Sequence, residues 1–151
     1  MRKALGRSLR RRQEINGQGD LSEHPNALLI RRFFAAATSP DFEDRVGDFF
    51  RRDVVWHVAG DNRLAGEFTG VAAVVDAMRR FAAHSGGTLR LETRAVFADE
   101  DHAIAVHWAN AQRADLDYHA HEIDVFHIAD ARISEFWSFS EDQAATDALW
   151  S

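Results

Sequence analysis

Three side chains in this sequence have the chemistry to move protons: His57, His107 and Asp124. Histidine ordinarily titrates nearest neutrality, so a neutral imidazole can take a proton from carbon or from water. His57 sits near the end of the apolar run Val54-Val55-Trp56-His57-Val58-Ala59-Gly60, where a strand mouth can open on a cavity. Asp124 lies in Glu122-Ile123-Asp124-Val125-Phe126, an apolar context in which an ionised carboxylate is costly. A neutral acid there could donate a hydrogen bond to a substrate oxygen. His107 shares one strand parity with Ala103, Ala105, Ala109 and Ala111, whose small side chains leave the room a pocket requires. The expectation is that all three converge, with His57 as base, Asp124 as neutral acid or oxyanion donor, and His107 as a polarising or orienting group. Each also has a plain structural role open to it. His57 could be solvated at a strand end, His107 could be a satisfied core histidine, and Asp124 could pair with a neighbouring histidine or arginine.

Other chemistries find less support. His119, His121 and His127 share a strand parity opposite to Asp124. His-x-His can bind metal, but the flanking glycines and a downstream glutamate ligand are missing, so no metal and no cofactor is expected. These histidines are assigned to the outer face or to a dimer contact. Ser138 and Ser140 lie in no nucleophile elbow, and no glycine-rich loop cradles a phosphate. The chain has no cysteine, which removes thiolate nucleophiles, thiolate metal sites and disulfides.

The elements that must position these residues follow from periodicity. His24-Pro25-Asn26 starts a helix with the apolar stripe Leu28, Leu29, Phe33, Phe34 and Ala37. Ser39-Pro40-Asp41 stops it and starts a second helix carrying Phe42, Val46, Phe49 and Phe50. Val54–Val58 is a strand, followed by a glycine-punctuated loop. Val71, Val74, Val75, Met78 and Phe81 repeat at helical spacing up to about His84, and Ser85-Gly86-Gly87 ends that helix. Strands are then expected over 88–98, 102–112, 117–128 and 132–140, and a short helix over 142–149. Helices gathered first and a meander afterwards make an α+β fold, ordered α-α-β-α-β-β-β-β-α, with helices on one face of an antiparallel sheet. In 102–112 both strand faces are apolar, Ile104, Val106 and Trp108 lying opposite the alanines. One face belongs under the helices and the other against a second copy, so a homodimer through the outer sheet face is expected.

Composition bounds the partners. The 151 residues suit one domain with a sizeable core, expected over 25–151. Six of the eighteen basic residues (Arg2, Lys3, Arg7, Arg10, Arg11 and Arg12) lie in the first twelve positions, and residues 1–24 read as a basic, disordered tail. A transit peptide or a nucleic-acid arm is the alternative for that tail. From Asn26 onward the chain has 12 basic and 21 acidic residues, a balance that repels phosphates and argues against a nucleic-acid partner. No apolar run approaches the roughly 18 residues a bilayer span needs, so no membrane partner and a cytoplasmic location are expected.

With these residues in place, the chain resembles the nuclear transport factor 2-like superfamily, in its SnoaL-like (polyketide cyclase) branch, over about residues 26–151. The resemblance rests on the element order, on Val55-Trp56-His57-Val58-Ala59-Gly60 with Leu64-Ala65-Gly66-Glu67-Phe68-Thr69-Gly70, and on Arg132-Ile133-Ser134-Glu135-Phe136-Trp137. It implies a cone-shaped α+β barrel, a curved sheet wrapped around helices with a deep apolar cavity. Members include ketosteroid isomerases, polyketide cyclases, dehydratases, epoxide hydrolases and non-catalytic binders, so the fold does not fix the reaction. By comparison with the isomerases, His57 takes the position of the general-base aspartate. Phe33 takes that of a tyrosine donor, and Ile123-Asp124-Val125 matches the motif of the second, acidic donor. The same register turns His107 toward the cavity. Phe33, Trp56, Phe68, Trp137 and Phe139 are then the aromatics expected against a bound molecule. The resemblance and the residues together imply cofactor-free acid–base chemistry (isomerase, cyclase or dehydratase type) on a small apolar carbonyl compound. A non-catalytic small-molecule-binding module is the alternative.

Overall fold

The computed structural model describes residues 23–151. The basic segment therefore lies outside the described residues except for its last two positions. Helix α1 spans Pro25–Ala37; the His24 side chain accepts from the Asn26 amide at 3.2 Å, and Pro25 occupies the first turn, where no amide donor is needed. Asn26 fixes the helix start to the sheet. Its side-chain amide donates to the carbonyls of Asp99 and Glu100 at 2.8 and 2.9 Å. The second expected helix is a 3-10 helix over Glu43–Asp48, with no buried residue of its own. Phe42 and Phe49 at its two ends are buried. Helix α2 spans Val71–His84, and Gly70 before it has φ of 86°, a conformation that favours glycine.

Six strands follow one another as β1 (Phe50–Val58), β2 (Gly66–Thr69), β3 (Arg90–Ala98), β4 (His102–Arg113), β5 (Leu116–Ala129) and β6 (Arg132–Ser140). Helix α3 (Gln143–Trp150) closes the chain. The strands form one curved, unclosed sheet in the order β2-β1-β6-β5-β4-β3. Two details depart from the sequence reading. The loop after β1 contains β2, a four-residue strand hairpinned onto β1. The sheet is also not wholly antiparallel, because β1 runs parallel to β6.

Strand alternation sorts residues onto a helix-facing concave face and an outer convex face. On β4, Ala103, Ala105, His107, Ala109 and Ala111 are all buried on the concave side, while Ile104 is exposed on the other. Two apolar clusters cover the concave face. The larger gathers Phe33, Phe49, Phe50, Phe126 and Phe136 under α1. The smaller gathers Leu149 and Trp150 of α3 over Ala109, Ala111, Tyr118 and Ala120. His107 falls between them on β4, so the two helices at the chain ends set the limits of the polar region.

Phe33 stands in the position where the isomerase comparison has a tyrosine. Its ring lies within 6.4 Å of six phenylalanine rings, and it is 2% exposed. A hydroxyl added there has no partner. Phe33→Tyr should therefore lower the unfolding free energy by about 1–3 kcal/mol, measured by urea denaturation, rather than supply a donor. An equally stable variant would show that the ring reaches a polar neighbour.

Candidate functional site

The polar region is built across five strands. The Trp56 indole on β1 donates to Ser138 Oγ on β6 at 2.9 Å. Ser138 has one hydroxyl proton, which it donates to Asp124 Oδ1 on β5. Asp124 Oδ2 lies 3.2 Å from His107 Nε2 on β4. On the far side, His107 Nδ1 and Thr93 Oγ1 of β3 are 3.1 Å apart. Every link joins residues on the concave face. Thr93 is the direct cross-strand neighbour of His107, and Ser138 that of Asp124, so the strand register brings the chain of contacts together.

Burial separates the roles within this belt. The His107 side chain is 0% exposed and that of Asp124 is 10% exposed. The Phe34 ring covers His107 with ring centroids 4.2 Å apart. Asp124 thus keeps a small exposed edge, while His107 has none. His107 Nε2 is close to Asp124 but poorly aligned with it, and has no hydrogen-bond partner. Withdrawing two charged groups from water is expensive unless their geometry is good, so this couple adds little to stability.

The structure brings two of the three expected residues together and leaves the third apart. His57 projects from the convex face, because Trp56 takes the concave direction and alternate residues of a strand point oppositely. Its ring stacks on Trp137 at 4.8 Å; Nε2 lies 2.8 Å from Glu135 and Nδ1 3.3 Å from Glu67. The expected base is therefore corrected: His57 cannot act with Asp124. The same parity corrects Trp137 and Phe139, which sit on the convex face; Phe139 is 43% exposed. Phe33 lies inside the larger apolar cluster. Phe68 stands against Trp56 at 5.8 Å, so Trp56 alone of the five expected aromatics touches the polar belt. His119 and His121 are exposed on the convex face, where His121 meets Glu141 at 3.0 Å, and His127 is partly buried there beside Trp137. Among the described residues no group of three acidic or histidine side chains is placed to hold a metal ion.

A second polar cluster went unread in the sequence. On the concave face of β5, Tyr118 donates its hydroxyl to Glu122, and this hydroxyl also lies 3.0 Å from Ser140 Oγ and 2.9 Å from Thr146 Oγ1 of α3. Burial pushes the Glu122 carboxyl up to about 7, and the charges of Asp124 and Glu141 add to the shift. Burial and the nearby Glu122 push the Tyr118 phenol up to about 12. The signal was present: Tyr118, Glu122 and Asp124 share one strand parity. Thr146 comes from a helix whose docking no strand pattern shows. Among the hollows lined by described residues, one of about 340 Å³ is bounded by Leu64, Arg80, Ala83 and His84. It opens beside the smaller apolar cluster, through Leu64, and does not include Asp124 or His107.

A SnoaL-like domain matches residues 30–136. The chain belongs to the SnoaL-like domain family. An uncharacterized protein of Mycobacterium tuberculosis is 34% identical over 123 residues, covering 81% of this chain and 93% of the relative. Among solved structures, Bal32a from a soil-derived mobile gene cassette is 26% identical, with a TM-score of 0.78 over 84% of this chain and 97% of its own. A putative SnoaL-like polyketide cyclase from Jannaschia sp. CCS1 is 12% identical, with a TM-score of 0.69 over 84% of this chain and 92% of its own, and shares the fold. This SnoaL-like chain thus has the nuclear transport factor 2-like architecture, and its chemistry must be read from its own polar belt.

Burial of Glu122 has a consequence for stability. Its carboxyl moves from 4.5 to about 7 on folding. Between those values the unfolded chain releases a proton that the folded chain keeps, so stability falls as pH rises through that window. The loss is at most roughly 3 kcal/mol. Glu122→Gln should remove it: against wild type, the variant gains stability at pH 8 and does not gain at pH 4, measured by urea denaturation. A stability difference independent of pH would mean that Glu122 ionises in the fold without hindrance.

Proposed function

We propose that this SnoaL-like domain is an acid–base enzyme of isomerase, cyclase or dehydratase type, acting on a small, largely apolar carbonyl compound. The compound lies over the concave face, against Trp56 and between the two apolar clusters. Asp124 exchanges the proton with the substrate, and His107 behind it takes up and returns charge through the carboxyl. The observation that supports this reading is the buried Asp124–His107 couple, whose carboxyl keeps a little exposure while its imidazole has none. Such a couple is a poor stabiliser, since replacing buried ion pairs by apolar side chains is often neutral or favourable. Some structural neighbours are called putative polyketide cyclases, which fits this class of substrate.

One observation favours a non-catalytic binding module instead. Phe34 lies 4.2 Å from His107 and shields it, as a purely structural histidine would be shielded. Proton exchange separates the two readings. With 2-tetralone as probe in deuterated buffer, the protein should accelerate loss of the α-proton signal in NMR, and Asp124→Ala should slow it by about 100-fold or more. Binding of the ketone with exchange at the buffer rate would establish the binding module. Full exchange activity in both Asp124→Ala and His107→Ala would remove the site altogether.

We also propose that the convex face pairs with a second copy. Phe97, Ile104, Val125 and Trp137 form one cross-strand row, and Val106, Ile123 and Phe139 the next. Phe97 is 64% exposed, and Ile104 and Phe139 are also open to solvent. A contiguous apolar surface of this kind marks an interaction site. The double variant Phe97→Asp/Phe139→Asp should convert a dimer into a monomer in sedimentation velocity. A wild-type chain that sediments as a monomer at about 100 μM, well above the Kd of a stable homodimer, would rule out the pairing.

A further inference from the structure

Two carboxyls of β5, Asp124 and Glu122, share the concave face with His107. Asp124 reaches it diagonally from β5, and the residue directly opposite His107 in the β4–β5 ladder is Glu122. Side chains directly opposite across an antiparallel pair have Cβ atoms about 4.5–5.5 Å apart. We propose that Glu122 is the third proton-exchanging group of the concave site, a positioning residue that sets the charge on His107 from across the strand pair. The proposal rests on the concave-face reading for its purpose, but its test needs no substrate.

Hydrogen-bond accounting supports a role beyond structure. The Tyr118 hydroxyl has one proton to give, and both Ser140 Oγ and Thr146 Oγ1 lie within 3.0 Å of it. Those two hydroxyls satisfy the phenol without any carboxyl. Glu122 is therefore not required to rescue a buried donor, and its own burial is unfavourable. What the carboxyl adds is a second, movable proton. When Glu122 is ionised, Tyr118 donates to it. When Glu122 is protonated, its own O–H can donate to Tyr118, and Tyr118 can turn its proton to Thr146, whose hydroxyl donates to the Asp142 carbonyl at 2.9 Å. Both states satisfy every hydroxyl, so the proton can come and go without unpairing the cluster.

The charges around Glu122 define its coupling. Asp124 and Tyr118 share its strand face, and His107 faces it from β4. Ser140 faces it from β6, Glu141 follows in the turn, and Thr146 faces it from α3. The Asp142 carboxylate is engaged elsewhere, accepting from the Ala145 amide at 2.9 Å. Among these neighbours on the described elements, His107 is the group that can carry positive charge, and its Nε2 lacks an aligned partner. A negative Glu122 favours charge on His107, and a neutral Glu122 withdraws that support. His57 stands on the other face of the sheet, and the second carboxyl of the concave face, Glu122, occupies the ladder position opposite His107.

NMR titration of the full-length protein tests this. The Glu122 carboxyl carbon and the His107 ring nitrogens are followed together from pH 5 to 9. Glu122 should titrate near 7, and the His107 resonances should show an inflection at that same pH. Tyr118→Phe removes the donor to the carboxylate and should move both profiles upward together, by about half a pH unit or more. Glu122→Gln should abolish that shared inflection in the His107 signals. Glu141→Gln, on the exposed turn, should keep the shared inflection and move it slightly downward, since it removes a like charge near Glu122. His107 signals that ignore the Glu122 transition, or that keep the same profile in folded Glu122→Gln, would overturn the proposal. Either result would leave the ketone-exchange test of Asp124 standing.

Discussion

The carboxyl of Asp124, held away from water in the middle of the sheet, constrains much of what surrounds it. Such a group must be supplied with hydrogen bonds or charge, and the structure supplies them from both sides. Ser138 gives its only proton to Asp124, which leaves the Ser138 oxygen free to accept from Trp56. His107 stands on the other side, with Thr93 behind it. Five strands each contribute one residue to this belt. A register slip of one residue in β5 would turn Asp124 to the convex face and leave Ser138 and His107 without it. The polar belt and the register of the sheet thus specify one another.

The sheet places its imidazoles on two faces, apart from His24 and His84 on the helices. His107 is sealed on the concave face, while His57, His119, His121 and His127 lie on the convex face beside carboxylates and aromatic rings. The convex histidines pair with Glu135, Glu67, Asp117 and Glu141 at partly or fully exposed positions, where ion pairs contribute little. The convex face also carries the exposed apolar pairs Phe97–Ile104 and Ile123–Phe139. The concave face carries one imidazole, His107, beside the Asp124 carboxyl and Thr93.

Two apolar clusters frame the buried Asp124–His107 couple. The phenylalanine-rich cluster under α1 closes one end of the concave face, and Leu149 with Trp150 of α3 closes the other. Between them the alanines of β4 flank His107, and Arg113 at the end of the same strand face donates to the Leu149 carbonyl of α3. The SnoaL-like architecture supplies the frame. The identity of the residues in the gap decides what the frame does, which is why relatives sharing the fold at low identity do not transfer a reaction to this chain.

Much of the frame was legible from the sequence. The helical period of Val71, Val74, Val75, Met78 and Phe81, the Pro25 start and the alternation of the later strands define α2, α1 and the meander, because local sterics and the burial of one face leave few options. Asp124 and His107 were found as polar residues at buried parities, a signal that needs only a strand period of two. His57 was misplaced for the same reason that made it visible. Trp56 and His57 are adjacent, only one can face inward, and the large ring that donates to Ser138 takes that place. The sequence by itself determined α1, α2, α3, the later strands and the buried acid, while β2, the parallel pairing of β1 with β6 and the convex placement of His57, Trp137 and Phe139 came with the assembled sheet. Only the tertiary structure decided which groups stand beside that acid, because the pairing of β5 with β4 and β6, and the docking of α3, are contacts between residues far apart in the chain. The proximity of Glu122 to His107 depends on the alignment of two strands, and no local pattern encodes that alignment.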